Sequence, residues 1–176
     1  PSLHIGMFAM AIFLGFTIGN VILPTLSDIY GRRKIYLSFF VLRGLTQLAF
    51  VAAPGENIDF YNMCVVVAMI HGFTSPAVYM VGFCYMSEFI PKEQHSFMTS
   101  VNNAAEGSYY FFFTLYFWFV STNWIYPQIF ALCIMAVFWL IAFFYLPESP
   151  KWLYDKRRYE ESKEILERMA KFNGTK

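Results

Sequence analysis

Charge is scarce in this sequence. Only 14% of its 176 residues are charged, against about 25% in an ordinary soluble domain. Hydrophobic residues make up 57%, and a soluble chain of this length would struggle to hide 21 Phe, 12 Tyr and 4 Trp. No basic tract carries the surrounding polarity of a nucleic-acid surface. Cysteine is equally sparse. Cys64, Cys84 and Cys133 each fall in an apolar stretch, without C-x-x-C or His-rich spacing, so neither a disulfide framework nor a metal site is indicated. No nucleophile–base pair, metal cluster or phosphate loop appears, which sets enzymes aside and implies no cofactor. The opening Pro1-Ser2-Leu3 lacks an initiator Met and a basic n-region, and reads as a cut edge rather than a signal peptide. The chain is expected to be a fragment.

What is present is a series of long apolar runs, at about residues 3–26, 35–53, 60–86, 97–120 and 126–146. About 20 apolar residues suffice for a helix to cross a roughly 30 Å hydrocarbon core. The expectation is an all-α membrane protein of five transmembrane helices followed by a surface helix. Between the first two runs lies Asp28-Ile29-Tyr30-Gly31-Arg32-Arg33-Lys34. So short a loop makes the flanking helices antiparallel neighbours. Gly31 can take a positive φ there at little steric cost, and Asp28 can pair with the adjacent cations or receive backbone N–H groups.

Each run offers its own polar exceptions. The first spaces Ala11, Gly15 and Gly19 by four, a small-residue face for close helix packing, and carries Pro24 near its end. The second holds Arg43, with Thr46 and Gln47 beside it, about 12 Å from the run's start. An ionisable group at that depth faces protein or water, or snorkels toward the surface. In the third run His71, Ser75, Tyr79 and Gly82 fall along one face, a polar stripe suited to a bundle interior or cavity. Pro76 is placed to kink this helix or loosen its hydrogen bonding. The fourth run carries Asn102, Asn103, Glu106, Tyr109 and Tyr110 at helical spacing. Glu106 is the only acid well inside an apolar run, so it must pair, be protonated or face water. Candidates for the substrate or proton pathway are therefore Glu106, His71, Tyr79, Ser75, Asn103 and Arg43, and a Glu106–Arg43 pair is one option. The fifth run has no polar stripe and should face lipid over much of its surface, with Trp124 and Tyr126 in the interfacial belt.

The cations are distributed one-sidedly. Of 13 Lys and Arg, three lie at residues 32–34, one is Lys92, eight follow Pro150, and the remaining one is Arg43. The positive-inside rule then puts the N-terminus outside and the C-terminus in the cytoplasm. Pro54-Gly55-Glu56-Asn57-Ile58-Asp59, with two acids and no cation, belongs to the outer side. Asn173-Gly174-Thr175 matches a glycosylation pattern but falls on the cytoplasmic side and is set aside. The chain divides into transmembrane helices at 1–147 and the start of a cytoplasmic helical region at 148–176. In the latter, Tyr159 to Phe172 is amphipathic, with Ile165, Leu166, Met169 and Phe172 on the apolar side. Glu164/Arg168 and Glu167/Lys171 have the favourable i, i+4 order. Trp152 and Leu153 are expected to anchor the preceding turn in the membrane interface.

Three stretches carry a resemblance. Asp28, Gly31, Arg32 and Arg33 match the G-x-x-x-D-R-x-G-R-R loop between the second and third helices of the major facilitator superfamily, with Pro24 at the first Gly and Ile29 after the Asp. Glu88 and Pro91 match E-x-x-P-x-x-x-R-G at the fourth-to-fifth helix junction of sugar porters and organic-ion transporters; His95 and Ser96 stand where Arg and Gly belong. Pro147-Glu148-Ser149-Pro150-Lys151-Trp152-Leu153 resembles the P-E-S-P-R-W-L that follows the sixth helix of organic cation and anion transporters, sugar porters and synaptic-vesicle-glycoprotein-like proteins. Its continuation from Asp155 to Leu166 resembles x-x-G-R-x-x-E-A-x-x-I-L. The family's Arg early in its fourth helix has no counterpart.

The resemblance covers helices two to six of an N-terminal half. It implies transport of a small organic solute, an organic ion or a sugar-like molecule, by alternating access between two halves. Asp28, Gly31, Arg32, Arg33, Glu88, Glu148 and Lys151 would form the conformational loop and cytoplasmic network. Partners implied are the solute, the lipid bilayer, and the missing first helix and C-terminal half of the same protein. The alternative is a non-transporting binding or assembly protein on the same scaffold, similar to the synaptic-vesicle-glycoprotein-like group. His95 and the absent Arg bring that alternative in.

Overall fold

The computed structural model describes residues 2–52 and 58–174, and every regular element among them is helical. Pro54-Gly55-Glu56-Asn57 and the Thr175 of the glycosylation pattern lie outside the described residues. The elements are α1 (Ser2–Tyr30), α2 (Arg32–Ala52), α3 (Ile58–Pro76), a π turn (Ala77–Val81), α4 (Gly82–Ser87), a 3₁₀ turn (Lys92–Gln94), α5 (His95–Phe119), α6 (Ile125–Tyr145), α7 (Pro150–Asp155) and α8 (Tyr159–Phe172).

The loop expected over residues 28–34 contracts to one residue. Helix α1 runs through Pro24 to Tyr30, since a proline removes only one intrahelical donor and the rest of the turn holds. Gly31 alone breaks the chain, at φ +110°, and α2 resumes at once. Arg43 therefore lies eleven residues into α2, about 16 Å along its axis, near the middle of this 21-residue helix rather than 12 Å from its end.

Helices α1 and α3 form the tightest seam. Gly15 and Gly19 lie against the backbone of Met69 and Phe73, and Gly72 lies against the Ile12 carbonyl. A methyl group at any of the three would meet backbone atoms of the facing helix. The four-residue spacing of small side chains thus does what close packing requires. Pro76 is followed immediately by the π turn, so the loosened hydrogen bonding takes the form of one wide turn before α4 restores α geometry.

Among the described residues, four continuous helical stretches are long and apolar enough to cross a membrane: His4–Tyr30, Arg32–Ala52, Tyr61–Ser87 and Ile125–Tyr145. Helix α5, the remaining expected span, has 25 residues but falls short of the others in apolarity, because Asn102, Asn103, Glu106 and Ser108 crowd its first half. Helix α6 packs along α2, where Trp139 Nε1 donates to the Leu37 carbonyl (3.2 Å) and Gln47 Nε2 donates to Gln128 Oε1 (2.7 Å).

The Pro-Glu-Ser-Pro stretch ends α6 and begins α7. Ser149 caps α7 by accepting from the Trp152 N–H (3.1 Å), and Pro150 occupies the first helical turn, where its missing N–H costs nothing. Trp152 and Leu153 are buried, against the expectation of an interfacial anchor: Trp152 Nε1 donates to the Asp28 carbonyl (2.9 Å) at the end of α1. The indole finds a protein acceptor there in place of the water or headgroup oxygen that an interfacial anchor would use. Arg157, standing where the family pattern has Gly, takes the left-handed conformation (φ 60°) that ends α7. Helix α8 follows the amphipathic expectation. Its ion pairs are Arg158–Glu161 (2.5 Å) and Lys163–Glu167 (3.9 Å) rather than the two anticipated. All four side chains are exposed, so little stability rests on the choice.

Candidate functional site

Two features hold the chemistry, and α2 belongs to both. At the end carrying residues 32–34, five segments are tied together by charge. Arg32 pairs with Asp28 one turn back, reaches Glu88 Oε1 at the end of α4 (3.3 Å), and contacts Ser27 Oγ (3.2 Å). The Glu148 carboxylate accepts from the Arg33 backbone N–H (2.9 Å) and the Ser149 N–H (3.1 Å). It thereby caps the N-terminus of α2 from 115 residues away and meets the positive end of the helix dipole. The Arg33 guanidinium donates to the Phe143 carbonyl (2.6 Å) in the last turn of α6. A Cβ on Gly31 would come within 2.6 Å of Glu148 Oε2, so glycine is required there by space as well as by φ. The Tyr85 hydroxyl donates to the Pro147 carbonyl. Arg32 Nε, Arg33 Nε and Glu88 Oε2 are buried without a partner among the described residues.

The structure thus brings together Asp28, Gly31, Arg32, Arg33, Glu88 and Glu148. Lys151 is exposed and joins none of their contacts. His95 stays apart as well. Its Nε2 lies 3.1 Å from the carbonyls of Ser87 and Ile90, so the ring caps the turn between α4 and α5 instead of extending the charge network.

Beyond that network lies a cavity of about 1350 Å³ between α2, the π turn with α4, α5 and α6. Tyr36, Tyr85 and Phe89 form its floor, with Tyr36–Tyr85 centroids 6.3 Å apart and Tyr85–Phe89 5.2 Å apart. Tyr109, Phe113 and Tyr116 from α5 and Phe130, Ile134 and Phe138 from α6 make the walls. Its polar lining includes Arg43, Gln47, Tyr79 and Asn102. Apolar walls with a few placed polar groups are the usual makeup of a small-molecule site.

Arg43 is the centre of a chain of contacts across three helical segments. Its Nη1 donates to Ser75 Oγ (2.5 Å), and its guanidinium lies 5.6 Å from the Tyr79 ring centroid. Ser75 Oγ in turn donates to the His71 carbonyl (3.1 Å). Thr46 Oγ1 spends its hydrogen on the Arg43 carbonyl (2.8 Å), so at 2.9 Å it accepts from His71 Nδ1. That assignment fixes the tautomer when the ring is neutral. The expected stripe is divided by the π turn: His71 and Ser75 turn toward α2, whereas Tyr79 and Gly82 reach the cavity.

Helix α5 presents Asn102 and Tyr109 to the cavity, while Asn103 is exposed and outside the wall. Glu106 lies one turn from both wall residues, at the edge of the same face, and is exposed. It makes no ion pair with Arg43, and none with any other described residue. Polar stripes could not reveal the contribution of α6, which has none. The signal was an aromatic and aliphatic repeat at i, i+4, in Tyr126, Phe130, Ile134 and Phe138, with Gln128 as a polar contact to α2.

Comparison with known proteins agrees with this architecture. The family described as sugar (and other) transporter matches residues 1–176. A solute carrier family 22 member 15-like protein of Xenopus laevis is 30% identical over 162 residues, covering 92% of this chain and 32% of that protein. The carcinine transporter of Drosophila melanogaster is 33% identical over 171 residues (93% and 23%), and organic cation/carnitine transporter 2 of Homo sapiens is 27% identical over 164 (92% and 28%). The chain spans about a third or less of the length of these curated relatives. With the family match running its whole length and its long apolar helices packed as described, the chain belongs to the sugar (and other) transporter family of the major facilitator superfamily and is part of an integral, multi-pass membrane protein.

Proposed function

We propose that the full-length protein moves a small organic solute across the bilayer by alternating access, with the aromatic cavity as part of the solute path and the charge network as a latch at the cytoplasmic end. The observation that carries this reading is the double membership of α2. Its first turn supplies Arg32 and Arg33 to the network, and Tyr36, Phe40, Arg43 and Gln47 along the same helix line the cavity. A solute that shifts α2 by a fraction of an ångström also disturbs the Glu148 cap. Relatives named for organic cations, carnitine and carcinine support an organic ion as the solute, with a sugar-like molecule second. In this reading the rest of the path comes from a helix preceding α1 and from a second half of the protein. Glu106 and Asn103, exposed on α5, would then meet those segments.

The test is solute counterflow in proteoliposomes holding the full-length protein. Wild type should give saturable exchange of an organic ion. Arg32→Ala should impair exchange more than it lowers equilibrium binding, because Arg32 bonds to Ser27, Asp28 and Glu88, none of which lines the cavity. Loss of binding with normal exchange would refute the latch. Binding without any exchange in wild type would favour a second reading, a binding or assembly protein on this scaffold, to which the withdrawal of His95 from the charge network lends support.

A further inference from the structure

Among the described residues, the cavity wall has a single charged side chain, and it is a cation. Among its 28 lining residues are Arg43 and no Asp, Glu, Lys or His. The guanidinium is well placed but not neutralised. One of its five N–H groups goes to Ser75 Oγ, the Tyr79 face lies 5.6 Å away, and no carboxylate among the described residues reaches it. Ser75 is itself committed to the His71 carbonyl, so this neighbourhood orients Arg43 without cancelling its charge. A cation midway along a membrane-spanning helix without a counter-ion is costly. A planar fork held from one side and free on the other suits a carboxylate, which can take two parallel N–H donors.

Resting on the transport reading above, we infer that the solute is an amphipathic organic anion, a carboxylate bearing an aromatic or branched apolar body. Arg43 holds the carboxylate and Tyr109, Phe113, Phe130 and Phe138 hold the body. One relative is named for organic cations and carnitine. This wall has no acid to receive an ammonium group, and an Arg at its centre repels one. Gln47 and Asn102 are the neutral polar groups left on the wall to bond the rest of such a molecule.

The experiment uses three probes of one shape: 4-phenylbutanoate, 4-phenylbutanamide and 4-phenylbutylamine. Their binding to purified full-length protein in nanodiscs is measured by calorimetry, and their exchange in proteoliposomes by flux. The carboxylate should bind at least about tenfold more tightly than the amide, the worth of a charge-assisted hydrogen bond, and the amine least. Arg43→Gln should erase the preference and Arg43→Lys should keep part of it. Because Arg43→Gln can disturb folding, Gln47→Glu is the second variant. It leaves Arg43 in place, puts an acid one helical turn away, and should lower carboxylate binding while raising amine binding. Amine binding equal to or tighter than carboxylate overturns the anion assignment and, if the amine is exchanged, leaves transport standing. A lower melting temperature for Arg43→Gln with an unchanged carboxylate-to-amine ratio would mean that an acid elsewhere in the protein neutralises Arg43, and also overturns it. No exchange of any probe, where another organic ion or a sugar still shows counterflow, overturns the anion assignment alone; no exchange of any solute overturns both readings.

Discussion

Helices α1 and α5 are similar in length and differ in almost everything that holds them. α1 is sunk onto α3 through three glycines and fastened at its end by Asp28, Ser27 and the Trp152 indole. α5 is exposed throughout residues 101–112, its Gly107 has open space around it, and most of the ordered contacts it makes are within itself or with the turn that precedes it. One side of the molecule is a clamped pair; the other is a helix facing a cavity. The difference teaches which part can serve as a frame and which as a moving or solute-facing wall. Backbone-to-backbone approach leaves no slack, whereas a helix that borders a cavity has room to shift.

The largest expected effect comes from adding the same methyl group on each side. Gly15→Ala puts a Cβ against the Met69 carbonyl and the Phe73 nitrogen, both backbone atoms that can move only by separating the helices. Overpacking of that kind costs roughly 1–3 kcal/mol, and occasionally more. Gly107→Ala meets nothing within 4 Å and should stabilise α5 by about 0.5–1 kcal/mol through helix propensity. Melting of the two purified variants in one detergent reads the comparison directly. Equal shifts in the two would mean that α5 is as tightly held as α1, by segments of the full-length protein.

The clamped side was the more legible one from sequence. Small residues every four positions predict close packing because helical geometry stacks them on one face. The positive φ at Gly31 follows from a basic turn too short for any other residue. The Pro-Glu-Ser-Pro stretch announced a break, since two prolines cannot both lie inside a helix. What each of its residues does was not legible. Glu148 caps a helix 115 residues earlier, and no local pattern encodes a contact of that separation. For the same reason nothing near Trp152 in sequence distinguishes a lipid anchor from a side chain whose acceptor is the Asp28 carbonyl. On the cavity side, Arg43, Tyr79 and Tyr109 line the cavity, whereas His71 and Asn103 are not part of its lining. Pro76 shifts register through the π turn, so His71 and Tyr79 no longer share a surface. Asn102 and Asn103 are adjacent in sequence, and only packing decides which one faces inward.

A smaller effect is expected where the two sides meet, at Gly31 and Glu148. Gly31→Ala forces an L-residue into φ +110° and brings its Cβ onto Glu148 Oε2. The left-handed strain alone costs about 1–2 kcal/mol. Glu148→Gln keeps an acceptor for the Arg33 and Ser149 N–H groups but removes the charge at the start of α2, at about 0.3–1 kcal/mol. The two positions touch, so the double variant should fall short of the summed losses, because the neutral side chain yields more easily to the new methyl. Strict additivity in thermal melts would show that the Glu148 carboxylate does not confine Gly31.

The smallest change in stability is expected at Glu106, and it separates the frame from the wall most finely. Sequence left three roles for this acid: solute, proton or Arg43. Arg43 is engaged by Ser75 of α3 and Tyr79 of the π turn, and Glu106 is exposed at the edge of the α5 face. No ion pair among the described residues is lost when its charge is removed. Glu106→Gln should therefore leave the melting temperature of the full-length protein nearly unchanged. An intimate Glu106–Arg43 pair would instead cost roughly 3–5 kcal/mol when one partner is removed, and Arg43→Gln in the same protein would recover much of it. If Glu106 contacts solute or a coupling proton, the same conservative variant abolishes exchange, or its dependence on pH, in a protein that still melts normally. Wild-type stability together with wild-type exchange would remove Glu106 from the solute path and leave Arg43 as the cavity's charged determinant, because a carboxylate that changes neither quantity is only a solvated or lipid-edge group. The exchange measurement at two pH values is the decisive one, since stability alone cannot distinguish an idle acid from one that acts only while solute moves.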